Sequence, residues 1–214
     1  MIYKSIPKIK PKKVFRRNLV KIKKLIFTNM KLYMLLLGCR PKGRLTEQHD
    51  IFFGIGNSLN ELIPQMKQSW PEAKGNIHID AWREVTVVDN HSIEIVSKNS
   101  ILKNEFQLFF INLGGYKENE FEEYHYKMMS VGASLAEATK KAKKILFYKL
   151  YNLKGAGKSH IDDKYGVDVD DIYNVKEILS AEFKNNYALK ISKNESKTTE
   201  DTLHIGYLSL KKLL

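Results

Sequence analysis

The chain has 214 residues and carries 36 Lys and Arg against 24 Asp and Glu, a formal net charge of +12. With 43% hydrophobic and 11% aromatic residues, it has the apolar content that a packed core needs, which excludes a disordered low-complexity chain. The single cysteine, Cys39, cannot form an internal disulfide, and no uncharged apolar run approaches the roughly 20 residues that span a bilayer. We therefore expect a cytoplasmic protein without a transmembrane segment.

Most of the positive charge lies in residues 1–29, which hold ten Lys and Arg and no acidic residue. Subtracting these ten from 36 leaves 26 basic against 24 acidic residues, so the rest of the chain is nearly neutral at +2. This extension, expected to be disordered or helical, is open to three interpretations. It is an arm that binds nucleic-acid phosphates, an amphipathic helix on an anionic membrane surface, or a segment upstream of a natural start at Met30.

An internal repeat organises the remaining chain. At an offset of 76, Leu37-Gly38 matches Leu113-Gly114, Glu47 matches Glu123 and His49 matches His125. After an insertion in the second copy the offset becomes 82, and 78–80 matches 160–162, both His-Ile-Asp, while Val87 matches Val169. The repeat predicts a first unit over 30–98, a second unit over 105–180 and a C-terminal extension over 181–214.

Each unit is predicted to follow the same order of elements. In the first unit the elements are a strand over 32–38, a strand over 48–55, a helix that begins at the Ser58-x-x-Glu61 capping box, an alternating strand over 77–88 and a final strand over 92–96. The second unit offers 108–114, 124–131, a helix that begins at Ser134-x-x-Glu137, and 173–178 in place of the final strand. Pro64 is expected to kink the first helix.

The predicted fold is therefore α+β, with two internally duplicated β-β-α-β-β units, mainly antiparallel sheets and helices on one face. The two units either share one continuous sheet or pack helix face to helix face. Strands over 187–192 and 203–210 are expected to form a C-terminal hairpin that caps a sheet edge.

The repeated polar residues form the candidate site. They are Glu47, His49, His78 and Asp80 in the first unit, with Glu123, His125, His160 and Asp162 as their second-unit equivalents. The spacings Glu-x-His and His-x-Asp place each pair on one face of a strand, because side chains in a strand alternate. If the two strands are neighbours, imidazoles and carboxylates converge, and such donors suit zinc, manganese or iron, with His49, His78 and Asp80 as ligands. The same groups suit general acid–base catalysis or a purely structural hydrogen-bond network.

After Asp80 the first unit continues with Trp82, Arg83 and Glu84, which the second unit lacks. An indole next to an arginine forms a surface that binds anions, although Trp82 is equally suited to packing. The first unit is therefore the preferred functional copy. Cys39 has no counterpart in the second unit, and we interpret it as a packing residue.

Four segments carry a family resemblance. They are 35–38 (LLLG), 46–50 (TEQHD), 52–56 (FFGIG) and 78–85 (HIDAWREV). Over roughly residues 30–178 the chain resembles a bacterial family known as a domain of unknown function, number fifteen-forty-three in that series, which occurs in one or two copies per protein. The resemblance implies two copies here and no known activity.

The sequence favours a duplicated domain that binds a small molecule or a protein partner through the polar site of the first unit over an enzyme, and it leaves enzymatic activity open. The main alternative is a metal-dependent or acid–base hydrolase that uses the repeated Glu, His and Asp residues, with a divalent metal as its cofactor. A further alternative is binding of nucleic acid or an anionic surface through the basic extension.

Overall fold

The structure is a computed structural model, and it describes residues 30–100, 105–116, 119–151 and 168–214. The basic extension over 1–29 lies outside the described residues, and so do the predicted site residues His160 and Asp162. The interpretations that rest on them stay predictions.

Within the described residues the chain forms strands and short helices. The strands are β1 Lys31–Cys39, β2 Gln48–Gly56, β3 His78–Glu84, β4 Val87–Val88, β5 His91–Ser97, β6 Gln107–Tyr116, β7 Glu123–Gly132, β8 Asp168–Asn174, β9 Tyr187–Lys193 and β10 His204–Ser209. The α-helices are α1 Ile63–Ser69, α2 Leu135–Tyr151, α3 Val175–Ile178 and α4 Ala181–Asn186. Turns of 3-10 helix lie at Leu59–Leu62, Pro71–Ala73, Lys98–Ser100 and Leu210–Leu213.

The strands form three antiparallel sheets, which confirms the α+β class with mainly antiparallel pairing. The first sheet has the order β10-β3-β1-β2, the second β7-β6-β8 and the third β4-β5-β9. None of the helices that the structure describes has the length and apolar content needed to cross a membrane.

The first and second sheets have the same central geometry. In the first, β1 lies between β2 and β3, and in the second, β6 lies between β7 and β8. Gly38 pairs with His49 on β2, and Gly114 pairs with His125 on β7. The pairing of the central strand with the third strand shifts between Leu36 and Leu37 in the first sheet and at the positions 76 residues later in the second. The two sheets therefore present equivalent positions at the ends of their central strands.

The predicted capping boxes form in part. The carboxylate of Glu61 accepts a hydrogen bond from the backbone N–H of Asn57 at 2.9 Å, and Glu137 accepts one from Ala133 at the same distance. These contacts satisfy a donor just before each helical segment, as a capping glutamate does. Pro64 stands in the first turn of α1, directly after the 3-10 turn over Leu59–Leu62, where a missing N–H costs little, and the predicted kink stays a prediction.

Each of these two sheets is covered by a helical segment on one face, and the opposite faces share a core. In the first sheet, buried residues of the helical segment over 59–69 pack on Leu35 and Leu37 of β1. In the second, Ala138 and Ala142 of α2 pack on β6. The largest buried cluster joins the other faces, where the rings of Phe53 and Phe110 meet edge to face at 5.8 Å. The units therefore pack through the sheet faces that bear no helix. Both predicted arrangements, one continuous sheet and packing of helix face on helix face, are wrong.

Three further predictions on strand pairing are wrong. Strand β5 pairs with β9 in the third sheet rather than closing the first unit. In the second unit, residues 175–178 were predicted as part of a strand over 173–178 and instead form α3. The predicted hairpin does not form, because β9 joins β5 while β10 covers the free edge of β3. The capping of a sheet edge is thus correct for β10 alone.

The offset of 82 also fails within the last strand of the second unit. Val169 pairs with Leu113 at the position that Ile79 occupies opposite Leu37. Asp170 therefore takes the place of Asp80, although the sequence match assigned that place to Asp162. The strand register therefore gives an offset of 90 between Ile79 and Val169, compared with 82 in the sequence match.

Candidate functional site

The site forms where three strands of the first sheet meet at the end of β1. Gly38 lies between His49 of β2 and His78 of β3 in the strand register. Glu47 directly precedes β2, and Asp80 is two residues after His78 on β3. The structure therefore brings together all four residues that the sequence predicted for the first unit.

The four side chains contact one another through their polar atoms. His49 Nε2 lies 3.1 Å from Asp80 Oδ2 and 3.8 Å from Glu47 Oε2. His78 Nε2 lies 3.2 Å from both Asp80 Oδ2 and Glu47 Oε1. The side chains of Glu47 and His49 are 46% and 41% exposed, whereas that of His78 is 14% exposed, so one side of the cluster faces solvent.

The central atom of this cluster is Asp80 Oδ2. It is buried and has no hydrogen-bond partner among the described residues, although two ring nitrogens lie within 3.2 Å of it. A buried carboxylate oxygen without a hydrogen bond is costly, and a cation next to it removes that cost. The observation points to a ligand shared by the side chains of His49, His78 and Asp80.

Three of the four donor separations match those around a transition metal, whereas the fourth, between His49 Nε2 and Glu47 Oε2, is longer at 3.8 Å. With metal–ligand distances of about 2.0–2.1 Å, neighbouring ligand atoms are about 2.9 Å apart in an octahedron and about 3.3 Å apart in a tetrahedron. The measured separations of 3.1 and 3.2 Å fall between these values. Two imidazoles with two carboxylates are donors that suit zinc, manganese or iron.

The absence of a side chain at Gly38 makes room for the cluster. A β-carbon at this position would lie 2.3 Å from His78 Nε2 and 2.4 Å from Asp80 Oδ2, far inside van der Waals contact. In the second sheet, a β-carbon at Gly114 would lie 2.3 Å from Asp170 Oδ2. The Leu-Gly match at 37–38 and 113–114 was a sequence signal for this requirement, although the site residues were chosen from the polar positions alone.

The second unit holds a smaller version of the cluster. Among the described residues, Glu123, His125 and Asp170 are the group of acidic and imidazole side chains whose ligand atoms, one from each, all lie within 4.8 Å of one another. His125 Nδ1 lies 3.1 Å from Asp170 Oδ2, and the amide of Asn112 contacts the same two atoms at 3.3 and 3.4 Å. The register gives Asp168 the position of His78. Within the described residues the second cluster thus has one imidazole, and Asn112 supplies polar contacts that Leu36 cannot supply in the first.

The remaining candidates of the first unit take separate places. Glu84 forms an ion pair with Lys31 at 2.6 Å, which raises the pKa of the lysine, and so belongs to the far end of the sheet. Trp82 stacks on His204 of β10 with ring centroids 3.8 Å apart and packs near Tyr33. Trp82 and Arg83 both line a cavity between the sheets, and neither Trp82 nor Glu84 has a described contact with the four residues of the cluster.

Strand β10 contributes aromatic residues that the sequence did not indicate. The ring of Tyr207 lies 4.6 Å from that of His78, next to a backbone bulge at Gly206 with φ of 132°. Tyr207 is 67% exposed, so it forms one border of the cluster towards solvent. Its distance of 129 residues from His78 explains why no local pattern identified it.

Cys39 belongs to the packed side of the sheet, as predicted. It is 1% exposed and lies in the cluster that contains Leu37 and Ile79. Burial raises the pKa of its thiol. Because neighbouring residues of a strand face opposite sides, Cys39 is directed away from the face that holds His49 and His78.

Comparisons with known proteins add a family match and a fold. Residues 44–95 match the sequence model of a domain of unknown function, DUF1543, in one copy. This span contains all four residues of the first cluster. The fold is similar to the crystal structure of a protein Il1583 from Idiomarina loihiensis, with a TM-score of 0.51 and 21% identity over 85% of this chain and 98% of that chain. No functionally curated protein matches the sequence.

Proposed function

We propose that the protein is a small-ligand-binding module whose site in the first unit is organised around a divalent transition metal ion. Glu47, His49, His78 and Asp80 hold the ion, and the ligand reaches it from the solvent-facing side of Glu47 and His49. The observation that carries the proposal is the buried Asp80 Oδ2, which lies 3.1 and 3.2 Å from two imidazole nitrogens and has no hydrogen bond within the described residues.

A hydrogen-bond network explains this arrangement less well. In such a network each imidazole would direct an N–H at the carboxylate, and Asp80 Oδ2 would accept one or both hydrogens. The distances are short enough, yet neither contact has hydrogen-bond geometry. A cation between the ring nitrogens and the carboxylate would account for short distances without hydrogen-bond geometry.

Metal analysis of the purified protein tests the proposal. Protein prepared without chelator is expected to contain about one equivalent of zinc, manganese or iron per chain by elemental analysis. In calorimetric titrations of chelator-treated protein, His49→Ala and His78→Ala are expected to lose the metal-binding heat. His204→Ala, which changes a histidine stacked on Trp82 outside the cluster, is the matched control and is expected to bind as wild type does. Trace metal contents together with flat titrations would refute the metal centre.

Metal-dependent hydrolysis is the second candidate function. The half-exposed Glu47 and His49 leave one side of the cluster open to solvent. In this function a metal held by His49, His78 and Asp80 would supply Lewis-acid chemistry, and Glu47 would act as the general base rather than as a ligand. Glu47→Gln is then expected to retain metal and to abolish turnover of p-nitrophenyl acetate or bis-p-nitrophenyl phosphate. Wild-type protein that binds metal and turns over neither compound would leave the binding function alone.

We also propose that the two units arose by internal duplication. Support comes from the common strand order, the bulges 76 residues apart and the matching positions of Gly38 and Gly114. In this proposal the first unit retained the complete donor set, whereas the second has Asp168 at the register position of His78. A single buried cysteine without a disulfide agrees with a bacterial cytoplasmic location.

A further inference from the structure

A cavity of about 390 Å³ lies between the two units, on the sheet face that holds the proposed metal centre. Its walls come from both sheets and from the segment around β10. Apolar side chains from β1, β2 and β7 form most of the lining, among them Met34, Leu36, Ile51 and Met129. A volume of this size accommodates a small organic molecule.

Two cationic side chains stand in this apolar lining, one from each unit. Arg83 of β3 is 13% exposed, and Lys127 of β7 is partly buried. Burial lowers the pKa of both groups, which shows that the surrounding protein disfavours their charge.

The acidic groups near these cations satisfy them poorly. Glu200 Oε2 is 3.8 Å from Arg83 Nη1, and its side chain is 61% exposed. Asp89 lines the same cavity, but its carboxylate accepts hydrogen bonds from Ser130 and the backbone of Val131 at 2.7 and 2.9 Å. Arg83 Nε is buried and has no hydrogen-bond partner among the described residues.

The ammonium group of Lys127 is also poorly paired within the described residues. Its polar contact is a long one, 3.5 Å to the backbone carbonyl of His125, and the acidic group that acts on it is Asp50 of the facing unit. A buried guanidinium and a partly buried ammonium in one cavity are stabilised most by an anion that both contact.

We propose that this cavity binds a small amphipathic organic anion, whose acid group contacts Arg83 and Lys127 and whose apolar body packs against the methionine and aliphatic lining. Methionine side chains adapt to irregular shapes, which favours a flexible or variable apolar body. Exposed Leu203 and Ile205 of the β10 segment lie at the border of the cavity, where the ligand enters from solvent.

This anion site is separate from the proposed metal centre. Arg83 pairs with Met34, four positions along β1 from the Gly38 position that borders the metal cluster. Four residues of a strand span about 13 Å, so the two sites lie on one sheet face without sharing ligand atoms. The anion proposal therefore does not depend on the metal.

Calorimetric titration with octanoate, octyl phosphate and octanol tests the proposal, because the three compounds share a chain and differ in the head group. Wild-type protein in chelator is expected to bind at least one of the two anions at least tenfold more tightly than octanol. The anion that binds more tightly identifies the acid group as carboxylate or phosphate. Equal affinity for octanol, or no heat from either anion at millimolar concentration, would overturn the proposal without any variant.

Substitutions locate the site. Arg83→Met and Lys127→Met, which retain length and remove charge, are each expected to weaken anion binding at least tenfold and to leave octanol binding unchanged. The matched controls Arg44→Met and Lys140→Met change exposed cations outside the cavity and are expected to bind as wild type does. His78→Ala is expected to bind the anion normally. Loss of anion binding in His78→Ala, or normal binding in both Arg83→Met and Lys127→Met, would refute the assignment.

Discussion

Gly38→Ala tests the metal centre without removing a ligand. The new β-carbon would lie 2.3 Å from His78 Nε2 and 2.4 Å from Asp80 Oδ2, and real β-carbon contacts are at least 3.0 Å. Both atoms must therefore retreat by about 0.6 Å or more, roughly three times the 0.2 Å tolerance of a metal–ligand distance. We expect zinc affinity to fall at least 100-fold, about 2.8 kcal/mol at 1.4 kcal/mol per tenfold.

The same substitution should leave the fold intact. Gly38 does not have a positive φ, so alanine fits the backbone, and a glycine in a strand costs about 0.5–1 kcal/mol relative to alanine. In chelator, the melting temperature of Gly38→Ala is therefore expected to match or exceed that of wild type. A loss of metal binding is then a local effect on the cluster.

Calorimetry with zinc, paired with thermal melting in chelator, provides the assay. Gly114→Ala is the matched control, since its β-carbon would displace Asp170 in the second unit and leave the first cluster unchanged. Zinc affinity within threefold of wild type in Gly38→Ala would refute the reasoning, because the donor atoms could not then be the ones that hold the ion.

Three further outcomes follow from the structure and the sequence. Glu137→Gln is expected to lower stability at neutral pH, because the Ala133 N–H and Lys141 depress the pKa of this carboxylate in the folded state. This stabilisation is present above the ordinary glutamate pKa and is lost as the pH falls through the pKa of the folded state. The melting temperatures of variant and wild type should therefore converge in acid. Cys39 is expected to react with Ellman's reagent only after unfolding, since it is 1% exposed and burial raises its pKa, and rapid reaction of native protein would contradict its placement. If the basic extension binds nucleic acid, a chain that starts at Met30 should lose salt-sensitive retention of DNA in a filter-binding assay, and unchanged retention would assign binding to the nearly neutral remainder.

Local sequence patterns predicted the strands and helices well where each element carries its own signal. The alternation and apolar runs placed β1, β2, β6 and β7 within a residue or two, and the Ser-x-x-Glu motifs located both helical segments. Strand partners that are distant in the sequence were predicted poorly. Strand β10 has the same alternation whether it pairs with β9 or with β3, so composition could not decide between them.

The residues of the candidate site were likewise predicted where a local pattern identified them and missed where strand register decided. Glu47, His49, His78 and Asp80 were found because two-residue spacing fixes a shared face, and the structure brings them together. Asp170 was missed because the match at His160–Asp162 continued the repeat in the sequence, whereas hydrogen-bond register selects the residue opposite Gly114.

The sequence by itself determined the element types, the near-neutral charge of residues 30–214 and the four polar residues of the first unit, because each depends on side chains a few positions apart. Only the tertiary structure decided that the sheets meet through their helix-free faces and that Arg83 and Lys127 line one cavity between the units. That result depends on which apolar faces bury each other. Both faces of β1 and β6 are apolar, so the choice is made by packing across the whole chain.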